Sequence, residues 1–307
     1  MQIRANGLAL EVDVQGPPQG RPLLLLMGLG MQLTGWPEPF VQLLVERGHR
    51  VVRMDNRDVG LSQGFEHTGT PNVAWAAMRY ALRLPVHSAY TIPDMAADAL
   101  GVLDALGIER VHVVGASMGG MIAQHLAATW PQRISALTLM MTTSGARHLP
   151  RATARASAAL LDRRGLTSND VDAAVERLER VFDVIGSTLY RPRDVEGRAA
   201  MRERLRESVL RAYRPAGVAR QLMAVVADGD RSPLLARIVA PTHIVHGAAD
   251  PLVPVAAARD LHAKIAGSTL EIIDGMGHDL PPALWQRLAQ SVAGHDAGPR
   301  TSRQTPA

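Results

Sequence analysis

The fold of this chain is decided by ten consecutive residues, Val111-His112-Val113-Val114-Gly115-Ala116-Ser117-Met118-Gly119-Gly120. They begin as a β-branched run, turn through Gly-x-Ser-x-Gly, and continue into a helical segment that stops before Pro131. A sharp turn between a strand and a helix is the context in which this motif indicates a nucleophilic serine.

The two outer glycines of the motif have a steric explanation. A serine on such a tight turn has strained backbone angles, and side chains at Gly115 and Gly119 would crowd the neighbouring strand or helix. A helix starting after Ser117 also directs its positive end at the turn, which favours developing negative charge. The alternative is a glycine-rich loop with an incidental serine, so the chain must also supply a base, an acid and oxyanion donors.

Length and composition limit the class of protein. At 307 residues with 47% hydrophobic content, we expect one large domain, or one domain with an inserted lid. No apolar run reaches the ~20 residues of a membrane span, and the first residues lack a secretory signal. Zero cysteines exclude disulfides, thiolate metal sites and a cysteine nucleophile. We expect a cytoplasmic enzyme without a metal or other cofactor.

The charge pattern does not favour nucleic acid. The isoelectric point of about 10.1 reflects arginine, while the net charge is only +4. The densest basic run, 202–211, contains Glu203 and Glu207 at helical spacing, which is typical of a solvated helix face. We therefore expect a small-molecule substrate and neither a nucleic-acid nor a membrane partner; the choice between monomer and homodimer stays open.

Apolar runs alternate with helical patterns over most of the chain. An edge hairpin is predicted around Asn6-Gly7, strands over 23–27, 50–54, 111–116, 134–141, 241–246 and 269–273, and helices over 37–47, 93–106, 121–130 and 282–292. This pattern predicts the α/β class, a doubly wound and mostly parallel sheet. Residues 63–92 are harder to interpret; 75–84 has helical character, and we place the segment near the site entrance.

The alternation stops in the middle of the chain, where 146–234 carries only helical patterns. We expect a core of 1–145 and 235–293, a helical cap of 146–234 over the carboxyl ends of the strands, and a disordered tail of 294–307. The alternative is that the cap helices simply pack on the sheet.

Two polar residues follow later strands at the edge where ligands bind in open α/β sheets. His278 lies in a glycine-flanked loop after the last strand, and Asp250 follows the strand before it. A serine hydroxyl needs a base, and the base needs an orienting partner. We therefore predict a catalytic triad of Ser117, His278 and Asp250.

Other histidines and carboxylates are weaker candidates. His112 and His243 lie within strands, His125 lies in the helix after Ser117, and His246 ends a strand core. Asp274 lies too near His278 to reach its far nitrogen, and we expect Asp279 to cap a turn. Residues 142–145, the other common location for the acid, contain no carboxylate.

Two backbone N–H groups are predicted to form the oxyanion hole. Met118 follows the nucleophile, and Leu29 lies in the loop after the first buried strand. Several apolar side chains are candidates for an acyl pocket, although such stripes are equally typical of plain core: Leu29, Met31, Leu33, Trp36, Met118 and Met141.

Taken together, these segments resemble the α/β-hydrolase superfamily, specifically the branch of small serine esterases that includes aclacinomycin methylesterase. The motifs are 25–28, 34–37, 55–62, 115–119 and 275–278, and the resemblance covers the expected core. It implies the same triad and the same oxyanion donors. The superfamily's usual His-Gly before the oxyanion loop is Met27-Gly28 here, as in that branch. The cap does not visibly match, so methyl-ester specificity is not implied.

The leading functional hypothesis is a cofactor-free serine hydrolase that cleaves small to medium apolar carboxylic esters through an acyl-enzyme. A lactonase, C–C bond hydrolase or perhydrolase with the same triad is the alternative. A ligand-binding module with an inactive site is a third possibility from another class, since fold alone does not determine function.

Overall fold

Eight strands form one sheet. The computed structural model describes residues 1–162, 164 and 170–295. The strands are β1 (Gln2–Ala5), β2 (Leu8–Gln15), β3 (Arg21–Leu26), β4 (His49–Met54), β5 (Val111–Ala116), β6 (Ile134–Met140), β7 (Thr242–Gly247) and β8 (Thr269–Ile273). Their order across the sheet is β1-β2-β4-β3-β5-β6-β7-β8.

Most of the sheet is parallel. β1 pairs with β2, and β2 with β4, in antiparallel fashion, whereas the pairs from β4 through β8 are parallel. Parallel strands bring their carboxyl ends to one edge. β5 and β7 are buried along their whole length, as strands covered by helices on both faces must be. The predicted α/β class with a mostly parallel sheet is confirmed.

Eleven α-helices are found within the described residues. They are α1 (Glu38–Glu46), α2 (Val73–Ala81), α3 (Ile92–Ala105), α4 (Met118–Thr129), α5 (Ala154–Leu161), α6 (Val171–Ile185), α7 (Val195–Arg211), α8 (Pro215–Asp228), α9 (Ser232–Leu235), α10 (Ala256–Lys264) and α11 (Trp285–His295). Four differ from expectation: α4 begins directly after Ser117, α2 ends at Ala81 rather than at residue 84, α11 begins at Trp285 rather than at residue 282, and α10 was not predicted. None of these helices has the length and apolar character that a bilayer crossing needs, as far as the described residues extend.

The core has one apolar layer on each face of the sheet. On one face, α3, α4 and α10 pack against the strands through side chains such as Val102, Leu126 and Leu261. On the other face, α1 and α11 contribute Phe40 and Leu288. Helices on both faces are the doubly wound arrangement that the alternating pattern predicted.

The cap helices lie between β6 and β7 in the chain and meet the carboxyl ends of the strands. The Gln32 side chain, after β3, donates to the Ser208 carbonyl on α7 at 2.6 Å, and the His278 N–H, after β8, donates to the Ile185 carbonyl at 2.7 Å. α6 and α7 share a separate small cluster, whereas Ala224 of α8 joins the main core. The alternative, in which the cap helices simply pack on the sheet, therefore holds for part of α8.

Parts of the expected cap and tail lie outside the described residues, namely 163, 165–169 and 296–307. α11 continues to His295, two residues into the expected tail. The described bounds therefore place Gly294 and His295 in a helix.

Candidate active site

Ser117 occupies the turn between β5 and α4. Its φ of 55° and ψ of −119° are unfavourable for a residue with a side chain, and such backbone strain typically costs about 1–3 kcal/mol. Two contacts with the end of β6 hold the turn: the Ser117 N–H donates to the Met140 carbonyl at 2.9 Å, and the Thr142 hydroxyl donates to the Ser117 carbonyl at 2.7 Å. Residues 142–145 contain no carboxylate, and the support that Thr142 gives to Ser117 was not predicted.

The glycines of the motif allow strand and helix to approach each other closely. A Cβ atom at Gly119 would lie 2.1 Å from the Leu26 carbonyl oxygen, and one at Gly115 would lie 2.4 Å from the Gly119 carbonyl oxygen. Both distances are shorter than any tolerated contact, so the predicted steric reason for these glycines is confirmed.

Ser117, His278 and Asp250 form a continuous hydrogen-bonded chain. The Ser117 Oγ atom lies 3.0 Å from His278 Nε2, and His278 Nδ1 lies 2.7 Å from Asp250 Oδ2. If Nδ1 carries the ring proton and donates it to the carboxylate, Nε2 is left as an acceptor for the serine hydroxyl. The three side chains therefore have the geometry in which an imidazole accepts a proton from a serine.

The backbone of the loop after β7 holds the Asp250 carboxylate. Its second oxygen, Oδ1, accepts from the N–H groups of Leu252 and Val253, both at 2.8 Å. The side chain is fully buried. Because each oxygen has its own donors, the carboxylate cannot turn away from His278 without losing hydrogen bonds.

His246 supports this loop and does not contact Ser117. Its Nε2 atom donates to the Val253 carbonyl at 2.7 Å and lies 3.6 Å from Asp250 Oδ2. Burial lowers the pKa of His246, although the Val253 carbonyl and the Asp250 carboxylate oppose this shift. His246 is therefore neutral, and it has a structural role in supporting the loop that carries Asp250.

The other histidines have partners away from the site. His112 pairs with Thr138, His125 with Asp228 and His243 with Thr269, each at 2.8 Å.

The two remaining carboxylates near His278 have other positions. Asp274 is exposed. Asp279 accepts from the backbone and hydroxyl of Ser187, at 3.0 and 2.5 Å, so it joins the cap to the His278 loop rather than capping a turn within its own loop. The expectation of a turn cap was wrong, because the spatially adjacent Ser187 is distant in sequence.

The loop after β3 lies against the nucleophile. A Cβ atom at Gly28 would lie 3.0 Å from Ser117 Cβ, so only a glycine fits without displacement. The Gly30 N–H donates to Gln221 Oε1 at 2.9 Å, and the Met31 N–H donates to the Gly28 carbonyl at 3.1 Å. Among the described residues, the Leu29 N–H donates to no backbone carbonyl outside the helices and strands, and Met118 is the first residue of α4, a position whose N–H has no acceptor within the helix.

The cap and the loop after β4 together hold the segment 28–32, called here the oxyanion loop because it contains the predicted donor Leu29. Gln221 on α8 also donates to the Arg57 carbonyl at 2.8 Å, and Arg211 on α7 donates to Gln32 Oε1 at 2.6 Å and Asp55 Oδ2 at 2.7 Å. Asn56 donates to the Met27 carbonyl at 3.0 Å. Neither Gln221 nor Arg211 was predictable from the sequence, since nothing in a helical pattern marks a partner that is distant along the chain.

Of the six candidate acyl-pocket residues, three lie in the apolar layers of the core and a fourth, Leu33, is also buried. Met118 packs into one apolar layer, and Trp36 and Met141 into the other, where Trp36 stacks on Phe40 with ring centroids 5.8 Å apart. Leu29 and Met31 are only partly buried. The core interpretation therefore applies to Trp36, Met118 and Met141.

Within residues 1–162, 164 and 170–295, no group of three or more histidine or carboxylate side chains is arranged to hold a metal ion.

Comparison with known proteins gives a consistent family. Rhodomycin D methylesterase DauP of Streptomyces sp. (strain C5) is 30% identical over 317 aligned residues, covering 95% of this chain and 96% of that protein. The 2-hydroxy-6-oxononadienedioate/2-hydroxy-6-oxononatrienedioate hydrolase of Klebsiella pneumoniae subsp. pneumoniae is 28% identical over 283 residues, covering 91% of this chain and 88% of that protein.

A solved structure agrees at the level of the fold. The meta-cleavage product hydrolase CumD of Pseudomonas fluorescens IP01 superposes with a TM-score of 0.70 at 19% identity, covering 96% of each chain. A family model described as the alpha/beta hydrolase fold matches residues 21–281. The chain therefore belongs to the α/β-hydrolase fold family.

Proposed function

We propose that the chain is a serine hydrolase that cleaves carboxylic esters of apolar acids, with Ser117 as nucleophile, His278 as general base and acid, and Asp250 as the group that orients His278. The observation that carries the proposal is the unbroken hydrogen-bonded chain from the Asp250 carboxylate through the His278 imidazole to the Ser117 hydroxyl. The similarity to a methylesterase supports an ester as the substrate.

In the first half of the reaction, His278 Nε2 takes the Ser117 proton while Oγ attacks the ester carbonyl carbon. The carbonyl oxygen becomes an oxyanion that accepts hydrogen bonds from the Leu29 and Met118 N–H groups, and the N-terminal end of α4 favours the same charge. His278 then returns the proton to the departing alcohol, which leaves an acyl group on Ser117.

In the second half, His278 takes a proton from water as the water oxygen attacks the acyl carbon. Collapse of the second tetrahedral intermediate releases the carboxylic acid, and the proton returns to Ser117 Oγ. Asp250 stabilises the imidazolium in both halves without accepting its proton.

Replacement of the nucleophile tests the proposal directly. Ser117→Ala is expected to abolish turnover of p-nitrophenyl esters and labelling by a fluorophosphonate, while the thermal unfolding midpoint does not fall. Retained turnover in the variant would refute the assignment of Ser117. An unlabelled, inactive wild-type protein would favour a ligand-binding module.

A second candidate keeps the triad and changes the bond that is cleaved. The similarity to a hydrolase of a 2-hydroxy-6-oxo diacid, whose carbonyl is a ketone, favours C–C bond hydrolysis as that candidate. An assay of methyl and p-nitrophenyl esters of graded acyl length against lactones, vinylogous 1,5-diketones and peracid formation separates these reactions. A higher kcat/KM for the diketone than for any ester would favour the second candidate.

A further inference from the structure

α2 has its apolar face turned towards solvent. Side chains on one side of this helix and in the turn after it are unusually exposed: Trp75 by 54%, Met78 by 44%, Leu82 by 62% and Leu84 by 46%. At ~100° per residue, the first three share one helix face. On the opposite face, Ala76 is buried and Val73 and Tyr80 are partly buried.

This orientation is the reverse of that in a surface helix of a globular protein, which turns its larger apolar side chains towards the core. The turn after α2 is nevertheless ordered by the protein: the Arg79 guanidinium donates to the Pro85 carbonyl at 2.7 Å. Apolar side chains that are exposed on an ordered segment indicate a surface that a partner molecule covers.

The charge around α2 limits which kind of partner can bind there. Residues 67–93 contain no aspartate or glutamate, whereas Arg79 and Arg83 flank the apolar face. Arg147 adds a third positive charge, since its guanidinium lies 4.9 Å from the centre of the Tyr80 ring. Two copies of the chain meeting through α2 would bring these arginines against one another, which disfavours a second copy.

We propose that α2 and the turn through Leu84 form a peripheral membrane-binding surface for anionic lipid. Trp75, Met78 and Leu82 enter the boundary between headgroups and acyl chains, and the three arginines lie among the lipid phosphates. An amphipathic helix with tryptophan and leucine on one face and arginine beside it is typical of interfacial binding. This proposal departs from the expectation of no membrane partner, because surface contact needs no spanning helix.

Vesicle cosedimentation tests this proposal. The full-length protein is mixed with phosphatidylcholine vesicles or with vesicles that also contain phosphatidylglycerol, at several salt concentrations. Because each arginine near an anionic surface strengthens binding about fivefold, we expect binding about 100-fold tighter to the anionic vesicles, with the difference lost at high salt. Absent binding, or equal binding to both vesicles, would overturn the proposal.

Matched leucine variants separate α2 from general surface stickiness. Leu82→Gln is expected to weaken binding to anionic vesicles at least tenfold. Leu210→Gln, on α7 and equally exposed at 62%, is expected to bind like wild type. Both variants should turn over a water-soluble ester at the wild-type rate, because both leucines are exposed to solvent and neither belongs to the candidate site. Equal loss in both variants would contradict a role for α2.

Sedimentation velocity without lipid tests the competing occupant. The proposal expects wild type and Leu82→Gln to sediment as the same species. A wild-type dimer that the substitution converts into a monomer would show that a second copy covers α2, and would overturn the membrane proposal.

Discussion

At the scale of single residues, the candidate site depends on how Asp250 is held. One of its oxygens meets His278 at 2.7 Å, while the other accepts from two backbone N–H groups. The backbone therefore sets the direction of the carboxylate, and the carboxylate sets the tautomer of the imidazole. For the orientation of His278, an oxygen acceptor at the Oδ2 position is therefore more important than the size of the side chain.

Asp250→Asn tests this reasoning. The amide either presents an N–H to His278 or loses its backbone donors, and in both cases the wrong imidazole tautomer is favoured. We expect kcat for ester hydrolysis to fall about 10⁴-fold. Asp274→Asn, at an exposed carboxylate in the loop before His278, should keep the wild-type kcat. A large loss in the Asp274 variant instead would identify it as the acid.

At the scale of elements, the cap and the oxyanion loop form one unit. Gln221 of α8 accepts from the Gly30 N–H, and a Cβ atom at Gly30 would lie 2.8 Å from the Val218 side chain. The neighbouring N–H of Leu29 is thus positioned by a helix of the cap. Movement of α8 would displace a donor of the proposed oxyanion hole.

Gln221→Met is expected to lower kcat about 10- to 100-fold with little change in KM, because a displaced donor weakens transition-state binding more than ground-state binding. The rate of fluorophosphonate labelling should fall in parallel. Gln124→Met is the matched control: this equally buried glutamine on α4 bonds Thr143 and Arg231, away from the loop. Equal losses in both variants would mean that the effect is only structural.

A buried ion pair attaches α8 to the loop after β4. Arg220 donates to both oxygens of Asp58, each at 2.7 Å, and the Tyr90 hydroxyl donates to Asp58 at 2.8 Å. Burial alone would raise the pKa of Asp58, but hydrogen bonds from Arg220, the Phe65 N–H and Tyr90 hold it below its ordinary 3.8. The pair therefore stays charged at neutral pH.

Asp58→Asn leaves the Arg220 charge buried without a counterion, and we expect a loss of about 3–5 kcal/mol in unfolding free energy near neutral pH. Because the folded pKa of Asp58 is lowered, its contribution is complete above the unfolded value and is lost as the pH falls through the folded value. The difference between wild type and variant in urea unfolding should therefore shrink only below about pH 4. Asp104→Asn, at an exposed ion pair with Arg133, should cost less than about 1 kcal/mol.

At the scale of the whole molecule, regular patterns were predictable and long-range contacts were not. β8 was predicted with its observed bounds, since a short apolar run between turn residues identifies a buried strand. The helix α10 was missed, because Leu261 is its only large apolar side chain and alanines fill four of its other positions, so no apolar period is visible. Gln221, Arg211 and Thr142 were missed for another reason: their partners are set by how the cap docks, which no local pattern encodes.

The order of side chains at the sheet edge was predictable because topology determines it. Ser117, Asp250 and His278 each follow a strand whose carboxyl end lies at the same edge, so their approach follows from a parallel sheet. Which face of α2 is exposed to solvent was not predictable in this way. Its helical period was visible, but which face meets the protein depends on the few contacts around Ala76.

The pH dependence of the unfolding free energy should reflect the burial of His246. Since burial lowers its pKa in the folded state, the unfolded chain binds a proton below about pH 6.5 that the folded chain does not bind. The unfolding free energy is therefore expected to fall with decreasing pH, by at most about 1.4 kcal/mol per pH unit from this group, until the folded pKa is reached. His246→Asn should flatten that slope as the pH falls below about 6.5, measured by urea unfolding. His87→Asn, at an exposed histidine, should keep the wild-type slope; an unchanged slope in His246→Asn would mean that other groups control the pH dependence.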